Sequence, residues 1–343
     1  MNKRRWVAVI IALGLFLISA VSSQMTKEKE TSEMNALTGF NALLYGTNEL
    51  GEVILEEGND QHRIAKLNVS GTISSESSGG IFSEAEYDHI RLLEELKQIQ
   101  QDPTIGGVIL EVNSPGGGVY ESAEIAKEIK KVQEKKIPIY VSMKNMAASG
   151  GYYISASADK IFATAETVTG SIGVIMSGMN YAGLLEKLGV SDATYKSGAL
   201  KDAGSGTHPV TKEEQQVLQG FVDSSFDRFV EVVADGRNMS EEEVRTLADG
   251  RIYDGQQALE NGLIDALGFP DEVLQALKDE KGLKNAQVFE YGFDSTGFAN
   301  TWFGSKLAQF QGLKASEQQQ LSNVLKTIGT PVAPKPLYYY GGE

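Results

Sequence analysis

The sequence predicts an α/β fold whose strands pair largely in parallel. Short β-branched runs recur along the chain and alternate with segments whose apolar residues repeat at helical spacing. Glycine is frequent, with 37 residues in 343, which favours many turns and close backbone approaches. The content of 41% hydrophobic and 22% charged residues is that of a globular protein with a core. Alternating strands and helices are typical of a sheet covered by helices.

The first predicted elements lie between residues 63 and 143. Residues 63–69 alternate between apolar and polar as a strand does, and 81–98 have apolar residues at helical spacing. A β-branched run at 106–112 indicates a buried strand. A helix over 121–134 and a second buried strand over 137–143 follow.

The later elements continue this alternation. The small-residue stretch 147–158 separates the second buried strand from a third at 160–163, and another apolar segment covers 168–174. A long amphipathic helix is predicted over 211–235, because its first residues match a capping box. Residues 331–343 have the proline content of an extended tail.

The N-terminus predicts a membrane segment. Three basic residues, Lys3 to Arg5, precede an uncharged run over 6–21 that is close to the length needed to span a bilayer. A cleaved signal peptide and an uncleaved anchor both fit this pattern. We expect the anchor, with the basic flank in the cytoplasm and the rest of the chain on the extracytoplasmic side of the cell membrane.

Four regions follow from these patterns. Residues 1–24 are the expected single-pass anchor with its basic flank, and 25–58 are a polar tether. Residues 59–290 form the expected main folded domain, and 291–343 hold a C-terminal helix and the extended tail.

Charge and composition exclude several functions. A net charge of −15 argues against nucleic acid as a partner, because phosphate binding needs clustered basic residues. The absence of cysteine removes thiolate metal sites and cysteine nucleophiles. Three histidines without metal-ligand spacing make a catalytic metal unexpected, and no cofactor is predicted.

A serine in a small-residue segment is the first candidate for chemistry. Ser149 lies between two alanines and two glycines where a strand should pass into a helix. A nucleophile needs its hydroxyl exposed at a tight turn beside free N–H groups, and such a segment allows this. The alternative is that small residues only permit tight helix packing.

A second candidate is the glycine run 116–118, which follows the buried strand at 106–112. Successive glycines can form a nest of N–H groups that binds an anion. An ordinary glycine-rich turn is the alternative, since neither a P-loop nor a dinucleotide fingerprint is present.

The base is harder to identify. His62, His89 and His208 lie in undistinguished settings, so their substitution is expected to be nearly silent. A lysine can act as a general base when burial disfavours its charged form. Lys201 has small and apolar neighbours, although composition alone does not single it out.

Four ordered motifs resemble the signal peptide peptidase A family. They are Asn113-Ser114-Pro115-Gly116-Gly117, Met146-Ala147-Ala148-Ser149-Gly150-Gly151-Tyr152-Tyr153, Thr169-Gly170-Ser171-Ile172-Gly173-Val174 and Ser197-Gly198-Ala199-Leu200-Lys201. The resemblance covers roughly residues 60–285. It implies a Clp protease/crotonase-like ββα superhelix and a serine peptidase with a Ser/Lys dyad.

The resemblance also assigns roles to residues. Ser149 would be the nucleophile and Lys201 the general base, with Ser171 orienting the lysine. Gly117 and Gly150 would donate to the oxyanion. Double-length family members pair two such domains in one chain, so the single domain here implies a homo-oligomer in which Ser and Lys can come from different subunits.

The substrates implied are apolar peptides, chiefly signal peptide remnants in the membrane. A related peptidase that cleaves membrane proteins is the main alternative. A crotonase-like acyl-CoA enzyme and a non-catalytic scaffold are the others. The tail, with its three successive tyrosines at 338–340, is expected either to dock in a substrate groove or to be a free end or packing arm.

Overall fold

The computed structural model describes residues 50–75, 87–293 and 335–341. Nearly all of them belong to one unit, which comprises Glu52–Tyr291 and Ser316–Glu343. The predicted anchor, most of the tether and most of the predicted C-terminal helix region lie outside the described residues. None of the helices that the structure describes is long and apolar enough to cross a membrane.

Eleven strands are described. They are β1 (Leu50–Glu56), β2 (Asn59–Ser70), β3 (Ile105–Ser114), β4 (Gly116–Gly118), β5 (Ile139–Ala148), β6 (Lys160–Ala163), β7 (Val168–Gly170), β8 (Ile252–Tyr253), β9 (Ala266–Leu267), β10 (Ala286–Phe293) and β11 (Leu337–Tyr339).

Eight helices lie between them. They are α1 (His89–Gln101), α2 (Val119–Glu134), α3 (Gly150–Ala156), α4 (Ala182–Lys187), α5 (Lys212–Arg237), α6 (Glu241–Leu247), α7 (Gly255–Glu260) and α8 (Pro270–Glu280).

The main sheet has nine strands, seven of them in the order β1-β10-β2-β3-β5-β6-β9. The neighbours from β10 through to β9 pair in parallel, as do β5 and β7. Strand β8 pairs antiparallel with β7. The prediction of a mixed α/β fold with largely parallel pairing is therefore confirmed.

Two element boundaries have local structural causes. Helix α1 starts at His89 because the Asp88 side chain caps it by accepting from the Arg91 N–H. Strand β7 ends at Gly170 because Gly170 and Ser171 both have positive φ angles, at 78° and 48°, which the extended backbone of a strand does not allow.

Helices cover both faces of the sheet. On one face, Val273 and Leu277 of α8 pack with Ile64 and Ile109 of the central strands. Adjacent strand residues point to opposite faces. Leu110 therefore faces the other side and is also buried, with 1% of its surface exposed. Strands buried on both faces explain the continuous apolar runs in the sequence.

A buried carboxylate joins the three central strands. Glu111 of β3, only 3% exposed, lies 2.8 Å from Lys66 Nζ of β2 and 2.9 Å from Lys144 Nζ of β5. Burial alone would raise the pKa of Glu111, but the hydrogen bonds from Lys66 and Lys144 outweigh it and hold the pKa below its usual value. The ionised form therefore stabilises this part of the sheet.

Glu111→Gln should lower the free energy of unfolding by about 1–3 kcal/mol, because two lysines lose a charged acceptor. Urea denaturation at pH 7 measures this. A lowered folded pKa places the stabilisation at high pH, so the difference from wild type should shrink as the pH falls through that pKa. Glu94→Gln on the exposed side of α1 is the matched control and should change stability little. Equal stability of the two variants at pH 7 would refute the role of Glu111.

Candidate active site

Ser149 lies at the sharp turn between β5 and α3. It is the N-cap of α3, with φ 53° and ψ −114°, a conformation that side-chain-bearing residues rarely adopt. Its backbone is fixed on both sides: its N–H donates to Gly170 at 2.8 Å, and its carbonyl accepts from Tyr153 at 2.8 Å. A serine held in a strained strand-to-helix turn has the geometry of a nucleophile.

Ser171 is brought close to Ser149 by strand pairing. Ala148, at the end of β5, pairs with Gly170, at the end of β7, so each serine directly follows one member of this pair. Ser171 is buried, and its N–H donates to the Arg251 carbonyl at 2.7 Å. The structure therefore places two predicted site serines at the same edge of the sheet.

The glycine run forms the third part of this edge. Strand β4 follows β3, and its flanking residues bond to Ile73: the Ile73 N–H donates to Gly116, and the Gly118 N–H donates to Ile73. Successive residues of a strand direct their backbone groups to opposite sides. The N–H and carbonyl of Gly117 therefore face away from Ile73, toward β11.

The C-terminal tail lies in this position as an extra strand. Strand β11 pairs antiparallel with β4, with Tyr338 opposite Gly117. On the other side of the tail, Leu337 exchanges two backbone hydrogen bonds with Ile175, at 2.9 and 3.0 Å. A third bond runs from the Tyr340 N–H to the Pro115 carbonyl at 2.9 Å. The tail is thus bound as an extended peptide between two strand-like edges.

The Tyr338 carbonyl lies at the predicted oxyanion site. It faces the Gly117 N–H, because Tyr338 is the partner of Gly117 on the free side of β4. A methyl group on Gly150 would lie 3.0 Å from this oxygen, and one on Gly116 would lie 2.1 Å from it. The oxygen therefore lies close to the residue after Ser149, and only glycine leaves room at position 116.

The Tyr338 side chain fills an aromatic pocket. Its ring stacks on Tyr153 at 4.9 Å and contacts Phe229 of α5 at 4.6 Å between centroids. Its hydroxyl donates to the Ser225 carbonyl at 2.8 Å, and 1% of the residue is exposed. Burial raises the pKa of Tyr338, so the phenol remains a donor. No local sequence pattern predicts this pocket, because its walls are distant along the chain.

Open space continues beside the tail. A groove of about 1010 Å³ lies here. Its walls are residues 72–75, strand β4, the start of α2, Phe221 and Arg228 of α5, and the tail itself. Its volume is in the range of ligand-binding clefts, so a peptide longer than the docked tail has room to bind.

Lys201 makes no hydrogen bond to these groups among the described residues. It is exposed, whereas Ser149 and Ser171 are buried. Its backbone N–H donates to Gly198 at 3.1 Å within a series of turns. In the described part of the chain its amino group has no hydrogen-bond or ion-pair partner. The structure therefore brings the two serines and the two glycines together and shows no hydrogen bond between them and the predicted base.

Two of the three histidines are either exposed or hydrogen-bonded, and the third lies between two carboxylates. His62 is exposed, and buried His89 bonds Tyr87 and Glu124. His208 lies between the carboxylates of Asp202 and Glu214, with Nε2 at 3.3 and 3.6 Å from their oxygens. No role was predicted for His208, since a spacing of six residues on each side is no known motif.

The trio around His208 is the one described group whose ligand atoms are close enough to hold a metal ion, within 4.8 Å of one another. Its carboxylates are already engaged. Asp202 pairs with Lys196 at 2.6 Å, and Glu214 accepts from the Thr211 backbone at 2.7 Å as a helix cap. A cation already at Asp202 disfavours a second one, so the trio is an ion-pair network.

Comparisons with known proteins find relatives of this chain. The Peptidase family S49 model matches residues 131–284. The chain is 56% identical to an Enterococcus faecium protein named as a signal peptide peptidase SppA, over 100% of both chains. It is 36% identical to Protease 4 of Haemophilus influenzae, over 64% of this chain and 35% of that one. A solved ClpP1 mutant from Listeria monocytogenes aligns with a TM-score of 0.40 and 15% identity, over 61% of this chain and 94% of that one.

A mixed α/β fold with a strained serine beside glycine N–H groups defines the class as a serine hydrolase. The chain belongs to peptidase family S49 and is a serine peptidase. The resemblance inferred from the four motifs is therefore confirmed, and the crotonase-like enzyme and the non-catalytic scaffold are excluded.

Deleting residues 331–343 should raise activity toward added peptides. An attached ligand acts at an effective concentration in the millimolar range, so its removal should lower the apparent KM by roughly tenfold and leave kcat unchanged. Steady-state kinetics on a fluorogenic peptide measure this.

Two controls make this test specific. Tyr338→Ala should reproduce part of the gain, because it empties the aromatic pocket, whereas Tyr340→Ala removes a ring outside that pocket and should have little effect. Mass spectrometry must show that the wild-type tail is intact. Unchanged kinetics of the deletion variant in an intact assembly would show that the docked tail does not compete.

Proposed function

We propose that this peptidase is anchored in the cell membrane by residues 1–24 and acts on its extracytoplasmic side. Its substrates are apolar peptides, chiefly remnant signal peptides. Ser149 is the nucleophile and Lys201 the general base, with Ser171 orienting the lysine. We also propose the finer fold assignment, a Clp protease/crotonase-like ββα superhelix.

The docked tail is the observation that carries this proposal. It is an extended apolar peptide bound through backbone pairing, with one carbonyl at the Gly117 N–H and beside Gly150. A peptide substrate bound in the same way would present its scissile carbonyl at the turn of Ser149. The nucleophile and the proposed oxyanion donors are thereby arranged around one carbonyl, and the base must be supplied separately.

The chemistry follows from this arrangement. Neutral Lys201 takes the hydroxyl proton as Ser149 Oγ attacks the carbonyl carbon, and the amides of Gly117 and Gly150 stabilise the oxyanion. The protonated lysine then gives its proton to the leaving amine as the peptide bond breaks. Water, deprotonated in turn by Lys201, hydrolyses the acyl-enzyme and restores both residues.

A second copy of the chain supplies the base in this proposal. Lys201 is exposed and without a side-chain partner among the described residues. Ten large apolar side chains between residues 175 and 221, the interval that contains Lys201, are also exposed, and we term them the 175–221 surface. They are Ile175, Met179, Tyr181, Leu184, Leu188, Val190, Tyr195, Val210, Val217 and Phe221. An apolar surface of this kind is typical of a protein–protein interface, so a homo-oligomer would bury it and bring Lys201 to a neighbouring Ser149.

Three observations support apolar peptides as the substrate class. The pocket of Tyr153 and Phe229 takes a large apolar side chain. The Enterococcus faecium relative is named as a signal peptide peptidase. The predicted anchor would hold the enzyme where signal peptide remnants lie. Cleavage of intact membrane proteins is the alternative, and it requires a helical segment to unfold before it can pair with β4.

Ser149→Ala and Lys201→Ala should each reduce kcat by roughly 10⁴-fold or more, because nucleophile and base act as a unit. Peptide hydrolysis measures turnover, and a fluorophosphonate probe should label wild type but not Ser149→Ala. Lys127→Ala, at an exposed position of α2, is the matched lysine control and should be fully active. Substantial turnover by a folded Ser149→Ala or Lys201→Ala variant would overturn the assignment.

Mixing the two inactive variants tests whether the dyad is shared. If Ser149 of one subunit meets Lys201 of the next, mixed oligomers of Ser149→Ala and Lys201→Ala chains should contain some complete sites. Activity should then return to a fraction of wild type, up to about one quarter of the sites for random placement around a ring. No recovery in oligomers proven to be mixed would place both residues in one chain.

A further inference from the structure

His208 belongs to the loop that holds Lys201. We define the lysine loop as residues 196–208; it is a series of turns with Lys201 near its centre. Asp202, the next residue, pairs with Lys196 at 2.6 Å and approaches His208 Nε2 to 3.3 Å. Contacts of Asp202 with Lys196 and His208 therefore join the two ends of the lysine loop directly beside the predicted base.

The same imidazole reaches out of the loop to helix α5. Its Nε2 lies 3.6 Å from Glu214 Oε1, and Glu214 is the third residue of α5 and part of its capping box. Further along this helix, Ser225 and Phe229 hold the Tyr338 side chain. His208 thus lies between the segment with the base and the helix that lines the substrate pocket.

The hydrogen-bond acceptors around His208 indicate which of its ring nitrogens carry protons. Nδ1 lies 3.0 Å from the Pro209 carbonyl, an acceptor, so Nδ1 must carry a proton. In a neutral ring Nε2 would then be an unprotonated acceptor facing two carboxylates. Nε2 is buried from solvent and has no hydrogen-bond partner of good geometry. Only the doubly protonated ring gives Nε2 a hydrogen to direct at Asp202 or Glu214.

The surrounding charges agree with the protonated form. The charged groups that face His208 are Asp202 and Lys196 of the loop, Glu214 of α5 and Asp192 after α4. The Pro209 hydrogen bond and the two nearer carboxylates raise the pKa of His208, against the opposing effects of burial and Lys196. The three carboxylates and one lysine leave a net negative surrounding.

We propose that protonated His208 is a positioning residue, which ties the lysine loop to the N-terminus of α5 and thereby holds Lys201 in place for the reaction. This inference rests on the proposed function, since it supposes that Lys201 serves catalysis. It also differs from the sequence-based expectation that every histidine substitution is nearly silent.

The sign of the pH effect follows from the raised pKa. The tie is complete below the pKa of a free histidine, and it is lost as the pH rises through the higher folded pKa. Loss of the tie therefore lowers activity on the alkaline side.

Two substitutions at position 208 separate charge from shape. His208→Ala should reduce kcat by roughly tenfold at neutral pH, with KM within about twofold of wild type, because the tie is absent but the groove is intact. The ratio of wild-type to His208→Ala kcat should fall toward one as the pH rises through the folded pKa. His208→Arg, which is always cationic, should retain activity and lose this alkaline decline. His62→Ala, at an exposed histidine, is the matched control.

An NMR titration of the histidine rings supplies a readout that does not need turnover. With three histidines in the chain, the His208→Ala spectrum assigns the His208 signal. We expect its pKa to lie above the free value of about 6.5.

Each outcome decides between the two proposals. A constant kcat ratio across the pH range, an Arg variant that behaves like the Ala variant, or a His208 pKa at or below the free value would overturn the positioning role. Turnover that survives Ser149→Ala would instead overturn the proposed function. Turnover that needs Ser149 but ignores His208 leaves that function standing and removes only this inference.

Discussion

The backbone turn at Ser149 is the constraint on which the rest of the site depends. A positive φ of 53° at a residue with a side chain costs free energy, so packing around it must hold it in place. The Ser149 N–H bond to Gly170 supplies part of this support, and the α3 bond from Tyr153 supplies another part. The first bond comes from β7, whose Gly170 pairs in parallel with Ala148 of β5, and the second comes from helix α3. Pairing within the central sheet thus stabilises the strained backbone conformation of the nucleophile.

The same strand ends set the position of a peptide. Strand β3 continues through Pro115 into β4. The backbone groups on one edge of β4 bond to Ile73, and those on its other edge are available to a peptide. Because β4 contains only glycine, a bound strand can come close enough for its carbonyl to enter the space beside Gly116. Affinity comes from backbone pairing, and the aromatic pocket adds side-chain selection. The docked tail is held by both the backbone pairing and the aromatic pocket. Its binding is therefore a guide to how a peptide substrate binds.

How far the sequence could predict this depends on how local each feature is. The strand of 160–163 agrees with β6 residue for residue, and the long helix of 211–235 agrees with α5 to within two residues at its end, because a capping box and periodicity are local signals. Ser149 and the glycines were found through motifs of adjacent residues. The Tyr338 pocket was not, since Tyr153, Phe229 and Tyr338 meet only after the sheet forms and the tail returns. His208 was set aside because it lies in a polar loop, and nothing in the sequence shows that Asp202 and Glu214 approach it.

The position of Lys201 relative to Ser149 is the most direct test of the account. A structure of the assembled protein, solved by crystallography or electron microscopy with the tail or a peptide in the groove, measures the distance from Ser149 Oγ to every nearby Lys201 Nζ. We expect the lysine of a neighbouring copy within about 2.6–3.2 Å, the reach of a hydrogen bond. An assembly in which every Lys201 remains far from Ser149, while another basic group contacts the hydroxyl, would contradict the Ser/Lys dyad.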